Sequence, residues 1–440
     1  MRSALLLVQF AFYIGTYAET FYPGCIVFCG ASNDACLDKC AASAIPVTDN
    51  PEKSIQMEFI AKLPTKSEIT GSDMFEMRRD GLVYFTTREG DVWRFIPKPI
   101  GNNSVLTKIY TLPDSFRLDT SADKGLYDIA FLRNFGRSRA FYLCFAAKPP
   151  MGHSYLNHVL TVAEFVMLDG EKVVFSKIVD EVPQEVPYRS GGFMKGSSTT
   201  AATGHMPLWI SSGGNQEHKP DLLENQPKYS SIYGIFPDKA MRRTPEKPIA
   251  PPSFALWANG LANPYECDYA ALGKPNSIVC LTRHYSLENE LIAVALFSAE
   301  PGHTFNEVTS SGMSTNGYSS VQKSHTYTDV FDATQNCVPD SLIYSQSNLL
   351  GYGFGSRVML ATPTCEEESF PESTLKILVR DYEERKWVLI PMPVDFRGKK
   401  LWGMQMIGAE RTMGLFMAGR DLFTGDYEIY WLRNKEVKKP

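Results

Sequence analysis

Apolar and polar residues alternate in short runs along most of the chain, and a period of two predicts strands. Residues 55–63 (IQMEFIAKL) alternate and then give way to turn residues. Residues 81–95 (GLVYFTTREGDVWRF) read as two strands joined at a Glu89-Gly90-Asp91 turn, with a further strand over 106–112. Residues 125–131 and 140–147 form the next pair, and 158–168 and 171–178 a hairpin through Asp169-Gly170. Strands follow over 207–212, 230–236 and 290–297. The later half continues with candidates over 341–344, 357–361, 374–379, 387–390, 401–407, 413–418 and 427–432. No long stretch shows a helical period. So many short strands with a hairpin rhythm predict a sandwich, barrel or propeller, and the strand count favours the propeller.

The segment 256–294 (LWANGLANPYECDYAALGKPNSIVCLTRHYSLENELIAV) holds the densest information. Gly260 and Asn263-Pro264 read as a turn leading into a strand over 265–269; a loop follows, then a β-branched strand over 277–282. Cys267 and Cys280 fall one on each strand, so in an oxidising compartment they could face each other and pair.

Composition narrows the class. The 440 residues are 44% hydrophobic and 21% charged, enough for a large core and unlike a disordered chain. The net charge of −5, with both signs intermixed, excludes the basic face that a nucleic-acid partner demands. Residues 1–18 read as a secretory signal peptide: Arg2, an apolar run, then Thr16-Tyr17-Ala18 at a cleavage position. The run is short for a membrane anchor, and no second apolar stretch of spanning length follows.

The nine cysteines fit secretion. Cys25, Cys29, Cys36 and Cys40 crowd a segment over 19–50 and read as a small hairpin stapled in nested fashion, Cys25 to Cys40 and Cys29 to Cys36. A metal site is the other reading, but no His follows at ligand spacing. An odd total leaves at least one thiol unpaired within the chain, and Cys144, in an apolar run, reads as a buried small hydrophobe. Asn102-Asn103-Ser104 makes Asn102 a glycosylation candidate.

Several segments, in order, resemble the soluble quinoprotein glucose/sorbosone dehydrogenase family, and more closely its secreted, hedgehog-interacting-protein-like branch. Residues 80–95 look like that family's first blade. GLYDIAFLRNF over 125–135 is similar to its glycine-rich "Ala-Phe" signature, with Asp128 in place of the second glycine. GLANP over 260–264, followed by Cys267 and Cys280, resembles its Gly-Leu-Arg-Asn-Pro motif and strand cysteines. The resemblance implies an all-β, six-bladed β-propeller over 51–435, preceded by a short disulfide-rich N-terminal hairpin.

The enzymes of this family oxidise an aldose through pyrroloquinoline quinone. A His acts as base, arginines hold the quinone carboxylates, and a calcium ion polarises the quinone. The resemblance places the base on Tyr188 or, one register later, Arg189; neither is His, and tyrosine, with an ordinary pKa near ~10, is a poor base at neutral pH. The carboxylate of the following Gly-Asp turn is replaced by Gly213-Gly214. The clamping arginine falls on Ala262, and its neighbour Asn263 is explained by a strand-entry turn. Where the calcium loop would lie, the chain has Arg283-His284-Tyr285-Ser286 without a Gly-Pro. Base, clamp and metal loop are thus absent together, and the expectation is no catalytic residue, no cofactor and no metal. His205 reads as a loop residue. Ser211-Ser212-Gly213-Gly214 lacks the pattern of a nucleophile elbow, and Cys365-Glu366-Glu367-Glu368 reads as a solvated acidic loop.

Two functions follow. The first is a secreted, non-catalytic propeller that binds an extracellular protein or carbohydrate through loops at one end. Its contact candidates are Glu217, His218, Asp221 and Glu224 in the 213–230 loop, which also reads as an ordinary insertion. The second is a quinone- and calcium-dependent aldose dehydrogenase with a relocated site.

Overall fold

A computed structural model describes residues 55–75, 82–96, 106–132, 135–152, 156–169, 172–184, 191–196, 208–213, 229, 231–237, 255–259, 263–270, 277–285, 290–298, 303–309, 312–315, 327–332, 339–345, 357–362, 373–381, 386–392, 394–410 and 414–434. The Cys25–Cys40 segment, Asn102, Tyr188, Arg189, His205, Glu217, His218, Asp221, Glu224, Ala262 and Cys365 lie outside the described residues.

The chain begins with β1 (Ile55–Lys62). A four-stranded sheet follows: β2 (Ile69–Phe75), β3 (Leu82–Thr87), β4 (Asp91–Phe95) and β5 (Leu106–Thr111). The next four are β6 (Leu126–Phe131), β7 (Ala140–Ala147), β8 (His158–Met167) and β9 (Val173–Gln184). The third sheet takes β10 (Gly191–Gly196), β11 (Leu208–Ser212), β12 (Ser231–Ile235) and β13 (Ala255–Asn259). The fourth is β14 (Asn263–Ala270), β15 (Ser277–Tyr285), β16 (Glu290–Ser298) and, after β17 (His303–Thr309) and β18 (Gly312–Thr315) have extended the third sheet, β19 (Tyr327–Asp332). The fifth is β20 (Ser341–Ser345), β21 (Arg357–Thr362), β22 (Thr374–Asp381) and β23 (Lys386–Met392). After the short β24 (Val394–Asp395), the last three are β25 (Leu401–Glu410), β26 (Gly414–Asp421) and β27 (Tyr427–Asn434).

The six sheets are antiparallel meanders except where β13 pairs with β17 and β1 with β24, both parallel. The first strands of consecutive sheets are neighbours: β2 lies beside β6, β6 beside β10, β10 beside β14, β14 beside β20, β20 beside β25, and β25 again beside β2. The arrangement is a β-propeller. Its ring is closed by β1, which pairs antiparallel with β27 and sets Ile55 opposite Asn434. The one α-helical turn among the described residues is Phe135–Ser138.

Hydrophobic residues fill the gaps between neighbouring sheets. Tyr84, Val92, Leu126, Phe131, Phe141 and Phe165 pack the first sheet on the second. Leu160, Val162, Met194, Ile210 and Tyr233 join the second to the third, and Cys144 is buried among them as a free thiol. Ile55, Leu375, Met404, Met417 and Leu432 join the fifth to the last. Alternation along the middle strands supplies these faces, since one side of each pleat meets each neighbouring sheet.

The strand predictions over 55–63, 81–95 with its turn, 106–112, 125–131, 140–147 and 158–168 coincide with observed strands to within a residue or two. Several strands were not predicted: β2, β10, β13, β17, β18, β19 and the short β24. The Asn263-Pro264 turn is corrected: both residues belong to β14 itself. Proline fits there because β14 hydrogen-bonds to β15 alone and its other edge faces the centre, where no partner needs an N–H. Arg283 to Tyr285 are likewise strand, the end of β15, rather than a loop.

Candidate functional site

The innermost strands all begin at one end of the propeller, and there they enclose a cavity of about 210 Å³. Each sheet contributes to its wall. Ile69 and Thr70 come from β2, Tyr127 and Asp128 from β6, and Gly191 to Phe193 from β10. Asn263, Tyr265 and Glu266 come from β14, Asp340 precedes β20, and Gly403 and Gln405 belong to β25. Glu68, Arg88 and Asp123 complete the rim.

Glycine permits the close approach of these strands. A Cβ on Gly71 would lie 2.3 Å from the Asp128 carboxylate, and one on Gly192 would lie 2.5 Å from the Tyr127 ring. Polar side chains then tie each inner strand to the next. Asp73 accepts from Phe131 N–H at 2.9 Å, and Asp128 accepts from Met194 N–H at 2.8 Å. Asn263 Oδ1 accepts from Gly191 N–H at 3.0 Å, and Asp340 and Ser341 accept from Met404 and Met406 N–H at 2.8 and 3.1 Å. The inner strand edges have no further ladder partner, so these carboxylates and hydroxyls satisfy backbone donors that would otherwise lack one.

An ionisable cluster adjoins the wall residues Asp128 and Glu266. Lys195 on β10 lies 3.4 Å from Asp73 and 3.8 Å from Asp268, with 24% of its side chain exposed. Burial opposes its charge, but Asp268, Asp73 and Asp128 together outweigh burial and raise Lys195 above the ordinary lysine value. Burial pushes Glu266 up to about 8; Gln405, donating at 3.3 Å, and Lys195 counter this in part, while Asp268 adds to it. Asp128 is also raised, by burial and by Glu266, against two backbone N–H donors and Lys195. At neutral pH Glu266 is therefore mostly protonated.

Arg88 at the rim is already engaged. It lies 3.6 Å from Glu68 and donates to the Lys124 carbonyl at 2.9 Å. The adjoining loop is fixed by a buried ion pair, Lys124 to Asp119 at 2.5 Å, with Lys124 also donating to Asn157 Oδ1 at 2.8 Å. That pairing holds Asp123 at the cavity mouth.

Of the residues marked out from the sequence, Asn263 reaches the cavity wall. It is 3% exposed, and its amide nitrogen has no hydrogen-bond partner among the described residues. Cys267 and Cys280 stand directly opposite across β14 and β15 and form a disulfide, with Cα atoms 4.1 Å apart. Ser211 and Ser212 are buried strand residues; Ser211 accepts from Phe193 N–H and Ser212 from Gln184 Nε2, so neither is poised as a nucleophile. Asp73, Lys195, Glu266 and Asp268 were missed. The available signal was the pair of carboxylates flanking Cys267 at period two, which places both on one side of the pleat. Among the described residues, no group of three or more His, Cys, Asp or Glu is arranged to hold a metal ion.

No protein-family model and no curated protein matches the sequence. Solved structures match in fold. The PQQ-bound aldose sugar dehydrogenase of Streptomyces coelicolor superposes with a TM-score of 0.55 at 13% identity, over 87% of this chain and 99% of that one. The soluble aldose sugar dehydrogenase of Escherichia coli gives 0.54 at 12% identity, over 87% and 100%. A glucose dehydrogenase gives 0.53 at 14% identity, over 85% and 98%. At these identities the likeness is one of fold, the β-propeller.

Proposed function

We propose that this propeller is a secreted, six-bladed, non-catalytic binding protein of the hedgehog-interacting-protein-like kind, which takes an extracellular protein or carbohydrate at the end bearing the central cavity. One observation carries the reading: the donor set of the cavity is wrong for a quinone. A quinone bearing carboxylates needs cations around it. The described wall offers Glu68, Asp123, Asp128, Glu266 and Asp340, and its one cation, Arg88, is held by Glu68 and a backbone carbonyl. Lys195, which is not among the wall residues, pairs with Asp73 and Asp268. No His stands among the described wall residues to serve as base. Tyr188, where the family's base would fall, is a poor base at neutral pH, and Ala262, where its clamp would fall, carries no charge. A quinone bearing carboxylates therefore does not fit the described wall.

The test is a titration of the purified chain with pyrroloquinoline quinone and calcium, followed by dye reduction with aldoses. The expected result is no quenching and no reduction. Saturable quinone binding with sugar-dependent dye reduction would establish the dehydrogenase instead.

A further inference from the structure

The end of the propeller that bears the cavity also carries a surface that the cavity does not use. The β26–β27 turn lies at that end, because Asp421 pairs with Leu401 where β25 begins. Around it Trp402, Leu422 and Phe423 stand 40, 50 and 75% exposed, the largest such group of bulky apolar side chains among the described residues. Exposed apolar groups that gather in this way mark interaction sites. Alternation builds the patch. Leu401 and Asp421 face inward and are buried, so Lys400 and Trp402 share the outward face with Arg420 and Leu422. The turn itself is firmly held. Phe423 N–H donates to Asp421 Oδ1 at 2.8 Å, Gly425 N–H to the Asp421 carbonyl at 2.8 Å, and Arg420 Nε to the Gly425 carbonyl at 3.3 Å. We propose that this turn is a membrane-docking tip, which places Leu422 and Phe423 in the head-group boundary of an anionic lipid surface.

Charge and depth name the partner. The carboxylates of the turn are already taken: Asp421 and Glu428 pair with Lys399, and Asp426 lies 2.6 Å from Lys62. Lys66, whose charge acts on Asp426, is exposed, as are Lys400 and Arg420, and none of the three makes a salt bridge among the described residues. Set against them is the exposed Glu89, whose charge reaches Tyr427 at the base of the turn. The surplus is positive, and cations beside an apolar patch are drawn to anionic head groups. The order along the hairpin fits the same partner. Phe423 is at the tip, Leu422 and Lys400 come next, and Trp402 and Arg420 lie two residues further back, roughly 7 Å by the rise of a strand. A lipid boundary favours that order: apolar side chains deepest, tryptophan and cations at head-group level, within the roughly 5–10 Å that interfacial segments reach. None of these residues lines the cavity, so the docking is independent of what the cavity binds.

Co-sedimentation of the intact chain with lipid vesicles tests the proposal. Vesicles of phosphatidylcholine with about 30% phosphatidylserine should carry the chain down, and vesicles of phosphatidylcholine alone should do so about tenfold less well. Raising the salt from about 0.1 M to about 0.5 M should weaken the stronger binding. Leu422→Ser combined with Phe423→Ser should lower partitioning about tenfold. Lys66→Gln combined with Lys400→Gln, which leaves the hydrogen bonds of the turn in place, should lower it about tenfold on the anionic vesicles alone. Trp402→Phe should remove the part of the tryptophan fluorescence that brominated lipid quenches. These positions are exposed, and thermal unfolding establishes that each variant is folded. Absence of vesicle binding, or binding unchanged in the folded double serine variant, would overturn the proposal. Retention on heparin without vesicle binding would assign the cations to a soluble polyanion, and a dimer that the double serine variant dissolves would assign the apolar tip to a second copy of the chain; either overturns it. Quinone-dependent dye reduction would remove the non-catalytic reading and leave this inference standing.

Discussion

Lys195 is the side chain that joins carboxylates from two other sheets. Asp73 and Asp268 approach it from two other sheets, so removing the ammonium leaves two buried carboxylates facing each other. Lys195→Met should therefore cost about 3–5 kcal/mol, read from denaturant unfolding, because breaking a buried pair from one side exposes the other's desolvation. His158 predicts an acid-sensitive stability. Burial and Lys124 depress it from 6.5 to about 4, against Asp119, and its Nε2 has no partner. The unfolded state binds its proton first as pH falls, so stability attributable to His158 is lost between pH 6.5 and 4. Denaturant midpoints for His158→Gln should fall less over that window than those of the parent; equal falls would contradict the assignment. Glu266 has the opposite sign, its raised value removing stability as pH climbs from 4.5 to about 8, which is why the variant must be compared with the parent and not with a flat baseline. At this scale the sequence revealed what was missing more readily than what was present. Ala262 and Tyr188 could be noticed because a motif lent them a position. Lys195 could not, because its partners lie far off in the chain, on β2 and β14.

The strands divide into two kinds, and only one of them was legible. Middle and outer strands such as β7, β8 and β26 alternate or run apolar, since both faces are covered by neighbouring sheets. Inner strands do not. ITGSDMF and GGFMKG lack a clear alternation: their glycines make room for adjacent strands, and their polar residues cap one another's backbone across the centre. Within NPYECDYA the strand was read from Tyr265, and the first two residues were assigned to a turn because Asn-Pro more often makes one. The Cys267–Cys280 bond clips the one inner strand that carries both Asn263 and Glu266 to β15. Replacing both cysteines by alanine should lower stability by about 2–4 kcal/mol, measured by chemical denaturation, and should loosen the cavity wall before the rest of the fold. If hydrogen exchange in β14 were unchanged in the double variant, the clip would have no bearing on the site.

For the whole molecule, cohesion comes from the seams between sheets. Phe165 has contacts with Phe116, Phe141 and Phe175 at ring separations of 5.6, 5.8 and 5.8 Å, and is fully buried. Phe165→Ala should cost about 3–5 kcal/mol in unfolding free energy. The propeller class was readable from strand number and rhythm, whereas the joining of β1 to β27 was not, because nothing in either segment names a partner at the far end of the chain. That junction has a consequence for how the molecule tolerates being recut. Ile55 and Asn434 are paired neighbours, so a short bridge could join them and new ends could be opened at an exposed hairpin such as the one around Met151, 96% exposed. A chain rewired in this way should fold to the same disc with the same cavity, since a closed circle of sheets has no obligatory first member.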